Sequence, residues 1–398
     1  MKYDIAVIGG GIIGLAVAKR LLANSDLSVV ILEAEKSVAM HQTSNNSGVV
    51  HSGLYYKPGS LKAINCIKGR EMLVQFCDQN NIPYNNCGKL VVAQNQSEIP
   101  TLDELERRGR ANNLNLQRLT AAEIKNYEPH VKGIAGLWVP ETGVLDFALV
   151  AKTYATIIKQ AGGDIRTNTS LLKVIKTKNR LQLISNQEII QSRFLINCAG
   201  TYSDRVAQIC GFNPTLKILP IRGEYYQLLG KGANLVKGLV YPVPNPKLPF
   251  LGVHFTRTIN NEVTAGPNAV LAFSRMGYRL NMINIKDLFE ILTYIGFWRF
   301  AKKYWRTGLN EFFRSWNKKT YLHSLQHIIP GVEGVHLRRR GAGVRAQALG
   351  FNGILIDDFV IESDAQMIHV LNAPSPAATS SLSIGQAIYD IAAKTFDF

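Results

Sequence analysis

The chain has 398 residues and carries 45 Lys and Arg against 29 Asp and Glu, a net charge of +16 at neutral pH. That length is too great for one simple core, so two domains or one interrupted domain are expected. Five scattered cysteines with no C-x-x-C pair argue against a disulfide frame or a metal site and for a reducing, cytoplasmic setting, while the basic excess calls for an anionic partner without naming it.

The first thirty-three residues organise the rest. Tyr3 to Ile8 reads as a buried strand, and Gly9-Gly10-Gly11-Ile12-Ile13-Gly14 follows at once. Leu15, Val17, Ala18, Leu21 and Leu22 then recur at helical spacing, and a second strand, Ser28 to Leu32, ends in Glu33. Strand, G-x-G-x-x-G turn, helix, strand and acid, in that order, bind a dinucleotide. Gly9 makes the tight turn, Gly11 admits the pyrophosphate to the backbone, and Gly14 lets the helix approach the sheet. Glu33 accepts from ribose hydroxyls and disfavours a 2′-phosphate. Ile5 to Ala18 imitates the core of a signal peptide, but its spaced glycines read as the nucleotide turn.

His41 to Tyr56 is crowded with small and polar residues and lines a site better than it fills a core. Ser60 caps a helix to about Asn80, Lys89 to Ala93 is a strand, Thr101 to Asn113 is a helix, and Thr120 with Glu123 makes a capping box. A helix from Phe147 stops at Gly162-Gly163. Phe194 to Gly200 is a second strand meeting a glycine turn, which beside the first fingerprint supplies further backbone contacts to the same cofactor through Ala199 and Gly200. Residues 219–275 are strand-like and proline-punctuated, as in an antiparallel sheet. Ile354 to Phe359 and His369 to Pro374 are strands, and the turn from Pro374 to Ser381 opens the last helix.

The fold class is therefore α/β with an α+β second domain. The expectation is a Rossmann-type cofactor domain from residues 1–85, 147–218 and 337–398. An antiparallel-sheet substrate domain is expected from residues 86–146 and 219–336, with a helical insertion at 277–328. A fingerprint at the N-terminus of a domain interrupted twice favours FAD over NAD. The helix dipole and N–H groups behind Ala373, Pro374, Ser375, Thr379 and Ser380 suit the flavin edge where negative charge develops.

These motifs carry a resemblance over nearly the whole chain. The sequence resembles the D-amino-acid-oxidase-like FAD oxidoreductases, and within them the L-2-hydroxyglutarate dehydrogenase/oxidase family. The matching stretches are Gly9 to Gly14 with Glu33, Ser47 to Tyr56, Asn197 to Gly200, Val253 to Arg257, Ala265 to Ala269, Gly343 to Gln347 and His369 to Ser381. The resemblance implies bound FAD, oxidation of L-2-hydroxyglutarate to 2-oxoglutarate, and further cofactor contacts from Thr43, Ser44, Ser47 and Gly48. The electron acceptor, quinone or oxygen, stays open, and so does a neighbouring substrate: another 2-hydroxy acid, glycerol 3-phosphate or an amino acid. A basic FAD-containing nucleic-acid binder is the reading from another class, and no RNA-binding motif supports it.

Such chemistry needs a base for the hydroxyl proton, and His254 and His51 are the candidates, with His254 slightly favoured. The resemblance places Arg345 where related oxidases grip the substrate carboxylate. Arg257 is the second choice, for the distal carboxylate, and Tyr55 is a further donor. Lys57 and Arg222 are weaker carboxylate candidates that read better as solvated surface residues, and Tyr225 reads as core or donor.

The insertion stands apart. From Arg275 to Lys319 there are ten Lys or Arg against three Asp or Glu, among many large apolar residues. Ile285, Leu288, Phe289, Ile291, Leu292 and Ile295 project to one side of a helix. Beyond Gly296 a second helix sets Arg299, Lys302, Lys303 and Arg306 opposite Phe297, Phe300, Tyr304 and Trp305. Two readings stand: a subdomain packed on its own sheet, or a peripheral platform on the inner face of an anionic membrane serving a quinone acceptor.

Overall fold

The computed structural model describes residues 2–24, 26–246 and 251–398. In chain order its first third comprises β1 (Lys2–Ile8), α1 (Ile12–Asn24), β2 (Val29–Leu32), β3 (Val49–Val50), α2 (Leu61–Gln79), β4 (Tyr84–Asn85), β5 (Lys89–Ala93), α3 (Ile99–Ala111), β6 (Gln117–Thr120) and α4 (Ala121–Tyr127). The middle holds β7 (Ala135–Val139), β8 (Gly143–Leu145), α5 (Phe147–Gln160), β9 (Asp164–Arg166), β10 (Leu171–Lys176), β11 (Leu181–Ser185), β12 (Ile189–Asn197), α6 (Ser203–Ile209) and β13 (Leu216–Leu228). After it come β14 (Leu239–Pro242), β15 (His254–Arg257), β16 (Val263–Gly266), β17 (Val270–Leu271), α7 (Ile285–Leu292), α8 (Ile295–Trp316), α9 (Lys318–Gln326), β18 (Leu337–Gly350), β19 (Val360–Ser363), β20 (Met367–Asn372) and α10 (Ser381–Phe396).

The first sheet runs β10-β11-β12-β1-β2-β9, with β20 beside the C-terminal half of β12 and β19 beside β20. Its centre, β20-β12-β1-β2-β9, is parallel, and its strands come from three separated stretches of chain. Parallel strands buried on both faces read as continuous apolar runs, and β1 and β2 do. Ile5, Val7, Val29 and Ile31 meet Leu15, Val17 and Leu21 of α1, Tyr154 and Ile158 of α5, and Ile384 and Ile388 of α10 in one core.

The second sheet runs β17-β13-β16-β15-β14-β5-β7-β6, with β18 on the long strand β13. It is antiparallel except where β5 lies parallel to β14, because β5 arrives from the earlier segment of the domain. A third, small sheet, β3-β8-β4, joins the two, so Gly143–Leu145 serves the junction rather than the substrate sheet.

The insertion differs from the sequence reading. The break between α7 and α8 lies at Thr293 and Tyr294, not at Gly296, which is buried in the first turn of α8. A Cβ on Gly296 would sit 2.5 Å from the carbonyl oxygen of Gly350, so glycine is there for close packing on the end of β18. Trp305 is 54 % exposed and lies on the solvent side, apart from half-buried Phe297, Phe300 and Tyr304.

The C-terminal turn is held by a similar close approach. A Cβ on Gly69 in α2 would stand 2.5 Å from the Cα of Ser380, with backbone on both sides of it. Gly69→Ala is therefore expected to cost about 1–3 kcal/mol of overpacking and lower the thermal midpoint. Gly308→Ala in α8, where a Cβ meets nothing within 4 Å, should be neutral or stabilising. Parallel melts of the two variants check the contrast.

Candidate active site

The glycine turn after β1 fits a dinucleotide in its details. Gly9 has φ +107°, and a Cβ there would stand 2.6 Å from the carbonyl oxygen of Cys198, so strand, turn and β12 meet at one point. A Cβ on Gly14 would lie 2.0 Å from the carbonyl oxygen of Gly9. Gly11 is different: its nearest neighbour is Thr43 Oγ1, 3.7 Å away, so its outer side is open where a pyrophosphate approaches. Thr43 Oγ1 accepts from the Ile12 N–H at 3.1 Å and so ties the 41–46 turn to the start of α1. Glu33, buried at the end of β2, accepts from the N–H groups of Gly10 at 2.6 Å and Glu35 at 2.9 Å, which leaves lone pairs for ribose hydroxyls.

Other expected cofactor residues surround this turn. Gly48, with φ +71°, lies against the Leu145 carbonyl, and Gly200, with φ +56°, begins the turn that leads into α6. The Ala199 N–H donates to Asn197 Oδ1 at 3.1 Å. The Ser44 hydroxyl is engaged within its own turn, donating to the Ala39 carbonyl, so its side chain shapes the loop. Ser47 adjoins Gly48, whose N–H donates to Asn46 Oδ1 at 2.8 Å.

At the C-terminal turn, Ala373, Pro374 and Ser375 leave β20, and Ser380 stands at the N-cap of α10. Thr379 Oγ1 accepts from the His51 N–H at 3.1 Å and donates to the Val49 carbonyl at 3.4 Å, so it fastens the 49–51 segment to this turn. The Ser380 hydroxyl is wholly buried and has no hydrogen-bond partner among the described residues. An unsatisfied buried donor of this kind suits a ligand group.

Strand alternation sorts the second sheet into two faces. Leu90, Val92, Val240, Phe255, Ala265 and Tyr226 form the back core with Tyr321 and Leu325 of α9. Lys89, Tyr241, His254 and Thr256 fall on the front. Tyr225 alternates with Tyr226 and also faces front, and Arg345 pairs with Ile221, which shares the parity of Tyr225. A Cβ on Gly343 would meet the Asn45 carbonyl oxygen at 2.4 Å, so this front face meets the cofactor turn.

His254 is buried and stacked on Tyr241, ring centroids 3.9 Å apart. Its Nδ1 lies 3.0 Å from the Gly252 carbonyl, an acceptor only, so Nδ1 carries the proton and Nε2 keeps its lone pair. Burial, with the nearby charges of Arg345 and Lys89, lowers its pKa to about 4. His51 is pushed down to about 3 by burial and by Lys89 and His254. Both imidazoles are neutral at pH 7. His51 is held by its backbone, with its N–H on Thr379 and its carbonyl accepting from Cys66 Sγ at 3.3 Å. The Tyr55 hydroxyl is buried without a hydrogen-bond partner among the described residues. Burial depresses the Arg345 guanidinium, and Tyr225 and Glu311 act against that shift.

Arg257 departs from expectation. It sits one residue past Thr256, so alternation turns it to the back of the sheet. There its guanidinium donates to the carbonyls of Ala233 at 2.8 Å, Asn261 at 3.0 Å and Val236. It braces a loop and does not join His254. Arg222 is not a surface residue either: it is 1 % exposed, on the opposite face of β13 from Ile221, 3.4 Å from Glu224. Lys57 is exposed.

Lys89 is the residue the sequence reading passed over. It opens β5, whose five residues are all buried, and its Nζ stands 4.4 Å above the Tyr55 ring and 5.2 Å from that of Tyr241. Burial lowers its pKa to about 7. A lysine heading a strand buried on both sides was the signal available in the sequence.

Residues 4–391 match the family model "FAD dependent oxidoreductase". The chain is 48% identical over 400 residues to the L-2-hydroxyglutarate dehydrogenase of Indibacter alkaliphilus, covering 100% of both. It is 42% identical to that of Escherichia coli, covering 97% of this chain and 92% of the other. Among solved structures, the FAD-bound L-alpha-glycerophosphate oxidase of Mycoplasma pneumoniae superposes with TM-score 0.79 at 22% identity, over 98% of this chain and 94% of that one. The last likeness is one of fold.

Because space beside Gly11 is open on the cofactor side, Gly11→Val should leave the protein folded but colourless. Thermal melting near the wild-type midpoint with flavin absorbance lost is the expected pair of results. Retained flavin would place the pyrophosphate elsewhere.

Proposed function

This chain belongs to the FAD dependent oxidoreductase family, and on that premise we propose that it oxidises L-2-hydroxyglutarate to 2-oxoglutarate. The observation that carries the reading is His254: a buried, neutral imidazole with its tautomer set by the Gly252 carbonyl, on a sheet face that turns cations toward the cofactor loop. Relatives sharing 41–48% of residues over nearly the full chain bear the name of that activity.

The residues divide the work as follows. Arg345 grips the carboxylate next to the reacting carbon with two parallel hydrogen bonds. Nε2 of His254 takes the hydroxyl proton as the carbonyl forms. Tyr55, with its hydroxyl unspent, donates to the substrate. Bound FAD supplies the acceptor for the hydride that leaves Cα. His51 walls the pocket and links it to the C-terminal turn through Thr379.

A peripheral membrane contact is the second part of the proposal, with a quinone as electron acceptor. No helix among the described residues is long and apolar enough to cross a membrane. α7 turns its acids inward, Asp287 and Glu290 pairing with Arg205 and Arg275, and leaves Ile285 and Phe289 at 83 % and 66 % exposure. Along α8, Ile295, Trp298, Trp305, Leu309, Phe313 and Trp316 form one exposed stripe, with Arg299, Lys302, Lys303 and Arg306 along its flank. A monomer rarely leaves such a patch bare. Aromatic rings edged by cations suit the headgroup layer of an anionic bilayer.

Anaerobic mixing tests the chemistry: L-2-hydroxyglutarate should bleach the flavin, and D-2-hydroxyglutarate and glycerol 3-phosphate should not. His254→Ala should slow bleaching at saturating substrate about 100-fold or more. Because the neutral imidazole is the working form and its pKa is lowered, the acid limb of the rate should fall below the ordinary value of 6.5. An acid limb at or above 6.5, or a fast His254→Ala enzyme, would count against His254 as the base.

Flotation with anionic liposomes tests the platform. Wild type should float at low salt and less so at high salt. Reversing Lys302, Lys303 and Arg306 to Glu should weaken binding by roughly two orders of magnitude or more, at about 1 kcal/mol per charge. Wild type that stays behind at low salt would make the exposed stripe a site for another partner.

A further inference from the structure

Four Lys or Arg side chains are buried to under a tenth of their surface among the described residues: Lys62, Lys89, Arg222 and Arg275. Three have a carboxylate. Lys62 pairs with Asp357 at 2.7 Å, Arg222 with Glu224 at 3.4 Å, and Arg275 with Asp204. Lys89 has none within 4 Å among the described residues, and no hydrogen bond to its ammonium is found among them. The faces of Tyr55 and Tyr241 lie against it. A lone buried ammonium is costly, and ring faces return only part of that cost. Such a charge persists where something that binds later completes it.

A dicarboxylate brings two negative ends. Arg345 answers one, and Arg257, the expected partner of the other, faces the back of the sheet and donates to backbone carbonyls. Lys89 lies on the front with Tyr241 and His254, beneath the Tyr55 ring, close enough for its charge to act on both His51 and His254.

We propose that Lys89 is the second cation of the substrate pocket, holding the distal carboxylate and so selecting a diacid over a monoacid. The proposal rests on the reading of the substrate as a dicarboxylic 2-hydroxy acid. Lys89 binds and positions; the proton transfer stays with the histidine.

The groups facing the ammonium are His51 and Tyr55 from the loop after β3, Cys66 from α2, Tyr241 from β14 and His254 from β15. The histidines lie at about 3 and 4, burial pushes the thiol up to about 12, and burial raises both phenols. Between pH 6 and 9 the group left to titrate in this cluster is Lys89 itself, near 7.

Two experiments test the assignment. In the wild-type holoenzyme, KM for L-2-hydroxyglutarate should be flat below about pH 7 and then rise up to tenfold per pH unit as the ammonium is lost, with anaerobic flavin reduction at saturation changing far less. A KM that is flat from pH 6 to 9, together with an unchanged diacid preference in Lys89→Met, overturns the proposal. In Lys89→Met, with flavin content as the check on folding, the preference for L-2-hydroxyglutarate over L-2-hydroxypentanoate in kcat/KM should fall about tenfold to a hundredfold, and the KM rise with pH should vanish. If Lys89→Met instead lowers kcat and leaves the diacid preference intact, Lys89 tunes the histidines and the proposal fails. If wild type is not bleached by L-2-hydroxyglutarate at all, the reading of the substrate fails first.

Discussion

Positive charge buried on one sheet face is the constraint around which the candidate site is arranged. The front of the second sheet buries the Lys89 ammonium and turns in Arg345, while the same burial keeps His51 and His254 neutral. In the proposed function one cause, desolvation, serves two unlike roles: it leaves cations for an anionic substrate and keeps an imidazole neutral to accept a proton. The back of the sheet carries the stability, in Leu90, Val92, Phe255, Ala265 and Tyr226 against α9, so the front need not be a core.

The two sheets must come close for this to work, and the chain enforces the approach with backbone rather than side chains. Gly343 faces the Asn45 carbonyl and Gly69 faces Ser380, each at a distance no side chain would tolerate. Thr379 then bridges the loop that carries His51 to the turn before α10. The pocket is therefore a seam between elements far apart in sequence, and its geometry is only as good as these contacts.

Much of this was legible beforehand. The strand, glycine turn, helix, strand and acid at the N-terminus are local, and each part has a local cause, so they were readable residue by residue. The parallel strands of the first sheet do come from three separated stretches, but β18, read from sequence as the start of the third stretch, pairs with β13 in the second sheet. What escaped was tertiary. Arg257 sits beside Thr256 in sequence, yet period-two alternation sends it to the other face, a rule that could have been applied to the His254-Phe255-Thr256-Arg257 run. Lys89 was passed over although it heads an unbroken apolar run, the pattern of a strand covered on both faces. In α7 the apolar spacing is compatible with a packed side or an exposed one. The structure packs Asp287 and Glu290 inward, because Arg205 and Arg275 wait beneath them, and local pattern cannot see Arg205, which is 82 residues from Asp287 and 85 from Glu290.

That same buried network ties the helical insertion to the cofactor domain. Arg275 donates to the Thr201 carbonyl at 2.6 Å and pairs with Asp204, whose carboxylate also receives the N–H groups of Arg205 and Ile218. The insertion is therefore no interchangeable cassette. A lineage that trimmed it would strip both acids from the largely buried Arg205 guanidinium in one event and leave Arg275 with Asp204 alone. Residues 201–205 and 275–290 are bound to change together or not at all, so the history of the outer helices should be written in a turn beside the cofactor.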